Sequence, residues 1–242
     1  MEDLHVHTTF SDGKNTPEEM VQAAIRLGMT GIGFSDHSPT AFDSSYCMPP
    51  ASVPLYKKTV EELKEKYREK ICIRCGIEQD FYSPVPAAGY DYIIGSVHYI
   101  RFGEEYVPVD DSRERLLSAL PLCNGDVYQL AEKYFETVSR VVEKTGANII
   151  GHFDLISKFN EKDPFFDENH PRYVAAWKKS ADALCSYGVP FEVNTGAISR
   201  GYKTVPYPAP PIRRYLEEHG AKLIPASDSH RAETLLFLFD QL

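Results

Sequence analysis

The stretch Leu4-His5-Val6-His7, followed by Thr8-Thr9-Phe10-Ser11-Asp12-Gly13, decides how the chain is read. Residues i and i+2 of a β-strand point to the same side. His5 and His7 therefore project side by side from the end of a short buried strand. Neutral imidazole is the commonest metal ligand, and such a pair opens a metal site. The competing reading is a strand whose histidines cap a sheet edge. The rest of the chain separates the two.

The order of elements alternates strand and helix. A first strand at Asp3–Thr8 precedes a helix opened by Thr16-Pro17-Glu18-Glu19, with a capping hydroxyl, a first-turn proline and first-turn acid. That helix runs to about Leu27, and Gly28 stops it. A second strand, Gly31–Ser35, ends in Asp36-His37. A charged helix over Val53–Glu69 leads to a third strand, Ile71–Ile77, ending in Glu78. The fourth strand, Tyr90–Val97, ends in His98. From Arg101 to Gly125 the pattern is irregular, with a short helix expected at Arg113–Leu120. A long helix over Val127–Lys144 is closed by Gly146. The fifth strand, Ala147–Gly151, ends in His152. Helix Pro171–Tyr187, strand Val189–Val193 and helix Pro211–His219 follow. The seventh strand, Lys222–Ala226, ends in Ser227-Asp228-Ser229-His230, and a last short helix is expected over Glu233–Leu242.

Six of these seven strands are short apolar runs rather than alternating ones. Such strands are buried on both faces, as in a parallel sheet with helices outside. No glycine-rich dinucleotide fingerprint follows the first strand. The expected fold is α/β, a barrel one unit short of eight. No repeat or linker divides the chain, so residues 1–242 are expected to be a single domain.

Composition narrows the function. Apolar content of 43% and charged content of 25% are ordinary for a globular protein. Nothing approaches the ~20 continuous apolar residues of a membrane span, and no signal or transit segment is visible, so a cytoplasmic location is expected. Net charge is −9 with no run of lysine and arginine, which argues against nucleic-acid binding. The five cysteines are odd in number and scattered, as expected of a reduced compartment. Cys72-Ile-Arg-Cys75 has C-x-x-C spacing, but positions three apart on a strand face opposite sides, so it is not a shared metal or redox pair.

The strand ends carry the chemistry. In parallel α/β folds the strand C-termini meet at one face, where active sites form. His5, His7, His37, His98, His152 and His230 all stand there, six of the eight histidines. Asp12, Asp36, Glu78, Asp154 and Asp228 stand at or near the same ends. Asp12 and Asp36 could instead serve as caps or as partners of ligands. His170 and His219 sit at helix ends and read as structural. Nine candidate ligands (His5, His7, Asp12, His37, Glu78, His98, His152, Asp228 and His230) exceed what one tetrahedral ion takes. They suit two or three ions bridged by a carboxylate. Nitrogen and oxygen donors without thiolate fit Zn, Mn or Fe. Two-metal sites carry out in-line attack on phosphorus, clamping the attacking and leaving oxygens.

On these residues the chain resembles the PHP (polymerase and histidinol phosphatase) superfamily. The matching pieces are His5-Val-His7, Ser35-Asp-His37, Gly76-Ile-Glu78, Gly95-Ser-Val-His98, Gly151-His152-Phe-Asp154 and Asp228-Ser-His230. Tyr92-Ile-Ile-Gly-Ser-Val-His98, Gly151–Phe159 and Glu192-Val-Asn-Thr-Gly196 look most like its histidinol-phosphate phosphatase branch. The resemblance implies a distorted, TIM-like (β/α)7 barrel with a trinuclear metal site. It implies one ion on His5, His7, Glu78 and Asp228, a second on Glu78, His98 and His152, and a third on Asp12, His37 and His230, with Glu78 as bridge. Sharing of one ion by His5, His7 and Asp228 requires the first and last strands to be neighbours, hence a closed barrel.

The resemblance further implies a metal-dependent phosphomonoesterase in which a metal-bridging hydroxide attacks phosphorus. Glu78, Asp228, His230 and Arg200 are the expected catalytic residues, with Arg200, Lys158 and His37 on the substrate. His230 or a water would protonate the leaving alkoxide. The expected substrate is L-histidinol phosphate, on the route to histidine. The alternatives are nucleotides or other small phosphate esters and, in another class, an interaction module serving a polymerase. Small-molecule partners are expected, without nucleic acid or membrane.

Overall fold

The computed structural model describes residues 1–242. Its main sheet has seven parallel strands: β1 (Glu2–Asp3), β2 (Gly31–Phe34), β3 (Cys72–Asp80), β4 (Tyr92–Ser96), β7 (Ile149–Ile150), β8 (Phe191–Asn194) and β9 (Leu223–Ala226), hydrogen-bonded in that order. Parallel pairing of Val6 with Ser229 closes the sheet, as the shared-ligand argument requires. His7 N–H donates to Ser229 O at 2.8 Å and Ser229 N–H to His5 O at 3.0 Å. The fold is the expected (β/α)7 barrel.

The first strand leaves the regular ladder after Asp3, earlier than its apolar pattern suggests. Asp3 is the cause. Its buried carboxylate accepts from the N–H groups of His5 (3.3 Å), Ser227 (3.2 Å) and Leu236 (3.4 Å), and from the Ser227 hydroxyl. One side chain thus joins the first strand, the last strand and the C-terminal segment. Burial pushes its pKa up to about 6, against the opposing hydrogen bonds from Ser227.

Helices α1 (Pro17–Arg26), α2 (Val53–Tyr67), α4 (Val127–Val138), α6 (Pro171–Cys185) and α7 (Pro210–Glu218) pack outside. The Thr16 hydroxyl accepts from Glu19 N–H and the Glu19 carboxylate accepts from Thr16 N–H, so α1 starts where its cap residues indicate. Two apolar layers lie between strands and helices: Ile32, Ile73, Cys75 and Ile77 face α1 and α2, while Ile150 and Phe191 face α4 and α6. Cys72 is exposed and Cys75 buried, as opposite strand faces demand; burial pushes the Cys75 thiol up to about 12.

Four elements differ from their sequence pattern. The helix expected over Val127–Lys144 breaks into α4 and α5 (Val141–Thr145), where the Ser139 hydroxyl bonds Glu136 O at 2.7 Å and competes with the helical ladder. The irregular excursion after His98 contains an antiparallel hairpin, β5 (Tyr99–Phe102) with β6 (Glu105–Pro108), and α3 is confined to Arg113–Leu117. The third strand runs past Glu78 to Asp80. Residues Glu233–Leu242 form no α-helix. They make two 3₁₀ turns separated by Leu236 and Leu238, both with positive φ. Tertiary bonds outcompete the helix there: Leu236 N–H is held by Asp3, and Phe237 O by the Thr195 hydroxyl at 2.9 Å. This segment still covers its side of the barrel, burying Leu235 and Phe239.

The barrel floor is Tyr92, Ile94 and Ile149 with Leu4 and Ile224. The Tyr92 hydroxyl donates to Leu4 O (2.6 Å) and Phe34 O (3.0 Å), crossing the barrel beneath the histidines. Its ring fits because Gly76 lacks a side chain: a Cβ there would lie 2.2 Å from Tyr92 Cζ. Gly76→Ala is therefore expected to cost at least about 1–3 kcal/mol by overpacking. Urea unfolding checks this, and an unshifted midpoint would refute the packing of the floor.

Candidate metal centre

Above the floor the interior turns polar. Residues i and i+2 of β3 carry the change: Gly76 faces the Tyr92 ring, Glu78 the histidines, and Asp80 one histidine in particular. All nine candidate ligands meet at this mouth. Glu78 is the hub, with five imidazoles around one buried carboxylate. Its Oε2 lies 3.4 Å from His5 Nε2, 3.6 Å from His7 Nε2 and 2.7 Å from His37 Nδ1. Its Oε1 lies 3.2 Å from His98 Nε2 and 2.8 Å from His152 Nε2. Asp228 Oδ1 approaches His7 Nε2 at 3.3 Å and His5 Nε2 at 3.8 Å. Asp12 bridges His230 Nε2 (3.2 Å) and His37 Nε2 (3.7 Å). Three ligand groups emerge: His5, His7 and Asp228; His37, Glu78 and His98; and His7, Asp12, His37 and His230. His7 and His37 each stand in two of them, so neither belongs to one ion's neighbourhood alone.

The donor set fits divalent cations. His5 Nε2, both ring nitrogens of His7, Asp12 Oδ1, His37 Nδ1 and Glu78 Oε2 are buried and make no well-aligned hydrogen bond, the 2.7 Å approach of His37 Nδ1 to Glu78 Oε2 included. Unpartnered buried polar atoms are costly, and these converge on one another with lone pairs that a cation would satisfy. The same crowding sets the charges. Burial alone would push the Glu78 carboxyl up, but His37, His98 and His5 outweigh it and hold it well below the usual carboxylate range. Asp228 is held low against burial by Arg200 and His5. His5 is opposed by burial yet raised by Glu192, Glu78 and Asp228, whereas burial and the neighbouring His230 and His37 push His7 well below the usual imidazole range.

Several supporting groups were not legible as such. Glu192 Oε1 lies 2.7 Å from His5 Nδ1, while its Oε2 accepts from His152 N–H (3.3 Å) and from the Asn194 side chain (3.1 Å). A carboxylate on the other ring nitrogen fixes tautomer and ring orientation. The signal was present as Glu192 and Asn194, two polar residues alternating inside an apolar strand. Asp80 Oδ2 stands 3.2 Å from His98 Nδ1, on the part of β3 that runs beyond the apolar stretch ending at Ile77. Asp36 joins no ligand group. It accepts from Thr8 and Ser11, and so ties down the loop that carries Asp12. Asp154 also stays outside, accepting from Ala209 N–H at 3.0 Å, with burial raising its pKa to about 6. His170 caps α6 and His219 bonds Tyr215 O, both away from the centre.

A cavity of about 270 Å³ opens over the cluster, lined among others by His37, Tyr46, Lys158, Arg200 and His230. Arg200 donates to Asp228 O and Asp228 Oδ2, both at 2.9 Å. Gly196 makes room for this pair, since a Cβ there would lie 2.6 Å from Asp228 Oδ2. Lys158 Nζ donates to Asp110 O at 2.7 Å.

A closed parallel barrel with nitrogen and oxygen donors converging on one buried carboxylate is the build of a divalent-metal hydrolase. The PHP domain family model matches residues 3–196, and the chain belongs to that family. Among curated proteins it is 27% identical to a probable histidinol-phosphatase of Deinococcus radiodurans, over 98% of this chain and 89% of that one. It is 24% identical to a histidinol-phosphatase of Bacillus subtilis, over 98% and 96%. Among solved structures, a proposed histidinol phosphatase of Listeria monocytogenes superposes over 100% of both chains with TM-score 0.84 at 21% identity. The histidinol phosphate phosphatase of Lactococcus lactis, solved with zinc, L-histidinol and phosphate, covers 96% of this chain and 86% of that one, with TM-score 0.69 at 22% identity.

Removing the group behind a ligand typically costs 10–100-fold in metal affinity. Glu192→Ala is expected to weaken binding by about that factor, read by competition with a chelator, while a variant that holds metal as tightly as the parent would remove Glu192 from this role. Glu78→Ala is expected to lose bound metal outright, measured by elemental analysis.

Proposed function

We propose that this chain is a metal-dependent phosphomonoesterase that hydrolyses L-histidinol phosphate to L-histidinol and inorganic phosphate, a step of histidine biosynthesis. One observation carries the reading: nine nitrogen and oxygen donors, several of them unpartnered, converge under a small cavity that also holds Arg200 and Lys158. The relatives named above supply the substrate. The reading takes residues 1–242 as one domain. Asp228 and His230 lie beyond the matched stretch, yet they complete the cluster.

Two or three divalent ions would be held by His5, His7, Glu78 and Asp228, by Glu78, His98 and His152, and by Asp12, His37 and His230. Zinc is the first choice, given the Lactococcus lactis complex, with manganese and iron as the other metals such donors accept. When bound, the ions neutralise charge on the phosphoryl group and make water a nucleophile at neutral pH. The chain's own residues do the positioning. Glu78 and Asp228 set the spacing between ligand groups. Arg200, oriented by its two bonds to Asp228, presents a planar fork suited to phosphate oxygens. Lys158, held by Asp110, adds a second cation to the cavity lining, which His37 also joins. Both His230 nitrogens are engaged, Nε2 with Asp12 at 3.2 Å and Nδ1 with Asp228 O at 3.0 Å. His230 or a water supplies the proton for the leaving alkoxide.

The cavity favours a small ester over a nucleotide. About 270 Å³ lies near the lower end of small-molecule sites, a size that suits a small ester. No helix is long and apolar enough to cross a membrane.

Purified enzyme with measured metal content, given histidinol phosphate beside nucleotides and sugar phosphates, tests the reading. Histidinol phosphate is expected to exceed the panel in kcat/KM by about 100-fold or more. Equal turnover across the panel would replace this substrate with a broad phosphoesterase activity. Arg200→Ala is expected to lower kcat/KM by about 100-fold, the scale of losing one transition-state donor. Metal content measured on the same sample tells loss of phosphate contact from loss of Asp228 positioning.

A further inference from the structure

Among the buried side-chain atoms without a hydrogen-bond partner, three belong to residues that line the cavity: Asp12 Oδ1, His37 Nδ1 and the Tyr46 hydroxyl. The first two are candidate metal ligands. Tyr46 is not, and no ion explains it, because a neutral phenol is a donor looking for an acceptor.

The Tyr46 ring is placed by its neighbours. It meets His37 edge to face, with centroids 4.9 Å apart at 79°, and lies 6.0 Å from the His98 ring at 61°. Both histidines flank Glu78, so Tyr46 stands over the ligand group they form with it. The loop that carries it is fastened to the β5–β6 hairpin. Phe42 stacks on Tyr106 with centroids 3.9 Å apart, and the Tyr99 hydroxyl donates to Asp43 Oδ2 at 2.6 Å. Tyr99 is thus committed to Asp43, and the nearby Ser45 hydroxyl bonds Asp43 as well. The loop is held, and the Tyr46 hydroxyl beside Tyr99 makes no hydrogen bond of normal geometry.

Its place in the barrel supplies the acceptor. Tyr46 follows β2 and Arg200 follows β8. In the closed strand order these lie three steps apart one way round and four the other, on opposite sides of the mouth. A phosphoryl group bound over the cluster and beside Arg200 presents anionic oxygens toward the far wall, and a hydrogen bond to an ionised acceptor is among the stronger ones. We propose that the Tyr46 hydroxyl donates a hydrogen bond to a phosphoryl oxygen of the bound ester, making Tyr46 a substrate-binding residue opposite Arg200. This rests on the phosphomonoesterase reading and adds a contact to it.

Tyr46→Phe in the full, metal-loaded chain is the test, with inorganic phosphate as the probe by calorimetry and p-nitrophenyl phosphate as the substrate. The expected result is a rise of about tenfold or more in the phosphate Kd, and a similar fall in kcat/KM, for a lost hydrogen bond to a charged group. Metal content should not change, and Tm should stay equal or rise, because the deleted hydroxyl has no partner in the free protein. A phosphate Kd within about twofold of the parent overturns the proposal. So does weaker phosphate binding accompanied by loss of metal, which would make Tyr46 a support for His37 and His98. A parent protein that neither binds phosphate nor cleaves the ester defeats the phosphomonoesterase reading itself, and Tyr46 with it.

Discussion

Everything at the mouth of this barrel answers to the burial of Glu78. An ionised carboxylate taken out of water is worth several kcal/mol of penalty after relaxation, and here it is nearly inaccessible. Five imidazoles repay that penalty, and each must reach the same point from a different strand or loop. Hence two histidines follow β1, one follows each of β2, β4 and β7, and an aspartate that shares the His5 and His7 side follows β9. Remove the carboxylate and five imidazole rings are left facing one another. The rings themselves are close enough to repel, with His7 and His230 stacked at 4.1 Å and His7 and His37 at 4.3 Å. Such crowding is tolerable when cations or carboxylates lie between the nitrogens, which is the electrostatic meaning of the arrangement.

Closure of the barrel is the second consequence. His5 and His7 can face Asp228 only if the first and last strands are adjacent, and their pairing through Val6 and Ser229 is irregular rather than a full ladder. Asp3 supplies what the ladder lacks, accepting hydrogen bonds from both strands and from the C-terminal segment. The floor beneath is set by a different economy. Tyr92 spans the interior from β4 to the carbonyls of Leu4 and Phe34, and it does so in space left by glycine. The polar layer therefore rests on a packed apolar one. Glu192 then joins two candidate ligands, holding the His5 ring and the His152 backbone with one carboxylate.

Much was legible in the chain before any coordinate. Short apolar runs ending in histidine or acid predict parallel strands whose C-termini converge, because strand direction and the two-residue period are local properties. The nine candidate ligands, the helix starts at Thr16 and Pro171 and the opposite facing of Cys72 and Cys75 follow from the same local rules. Tertiary contacts decided the rest. Whether Leu235 to Leu242 would be helical depended on Asp3 and Thr195, more than 40 residues away in sequence, taking up its backbone groups. Asp36 and Asp154 have the residue type and placement of ligands, yet each is used up by hydrogen bonds from Thr8, Ser11 or Ala209 that no spacing foretells. Asp80, Glu192 and Tyr46 acquire meaning only once β3, β8 and the loop after β2 stand around one cavity. Sequence alone determined which atoms could bind a cation, since that is a matter of side-chain chemistry. The closed fold determined which of them meet, because distance across a barrel depends on every strand between.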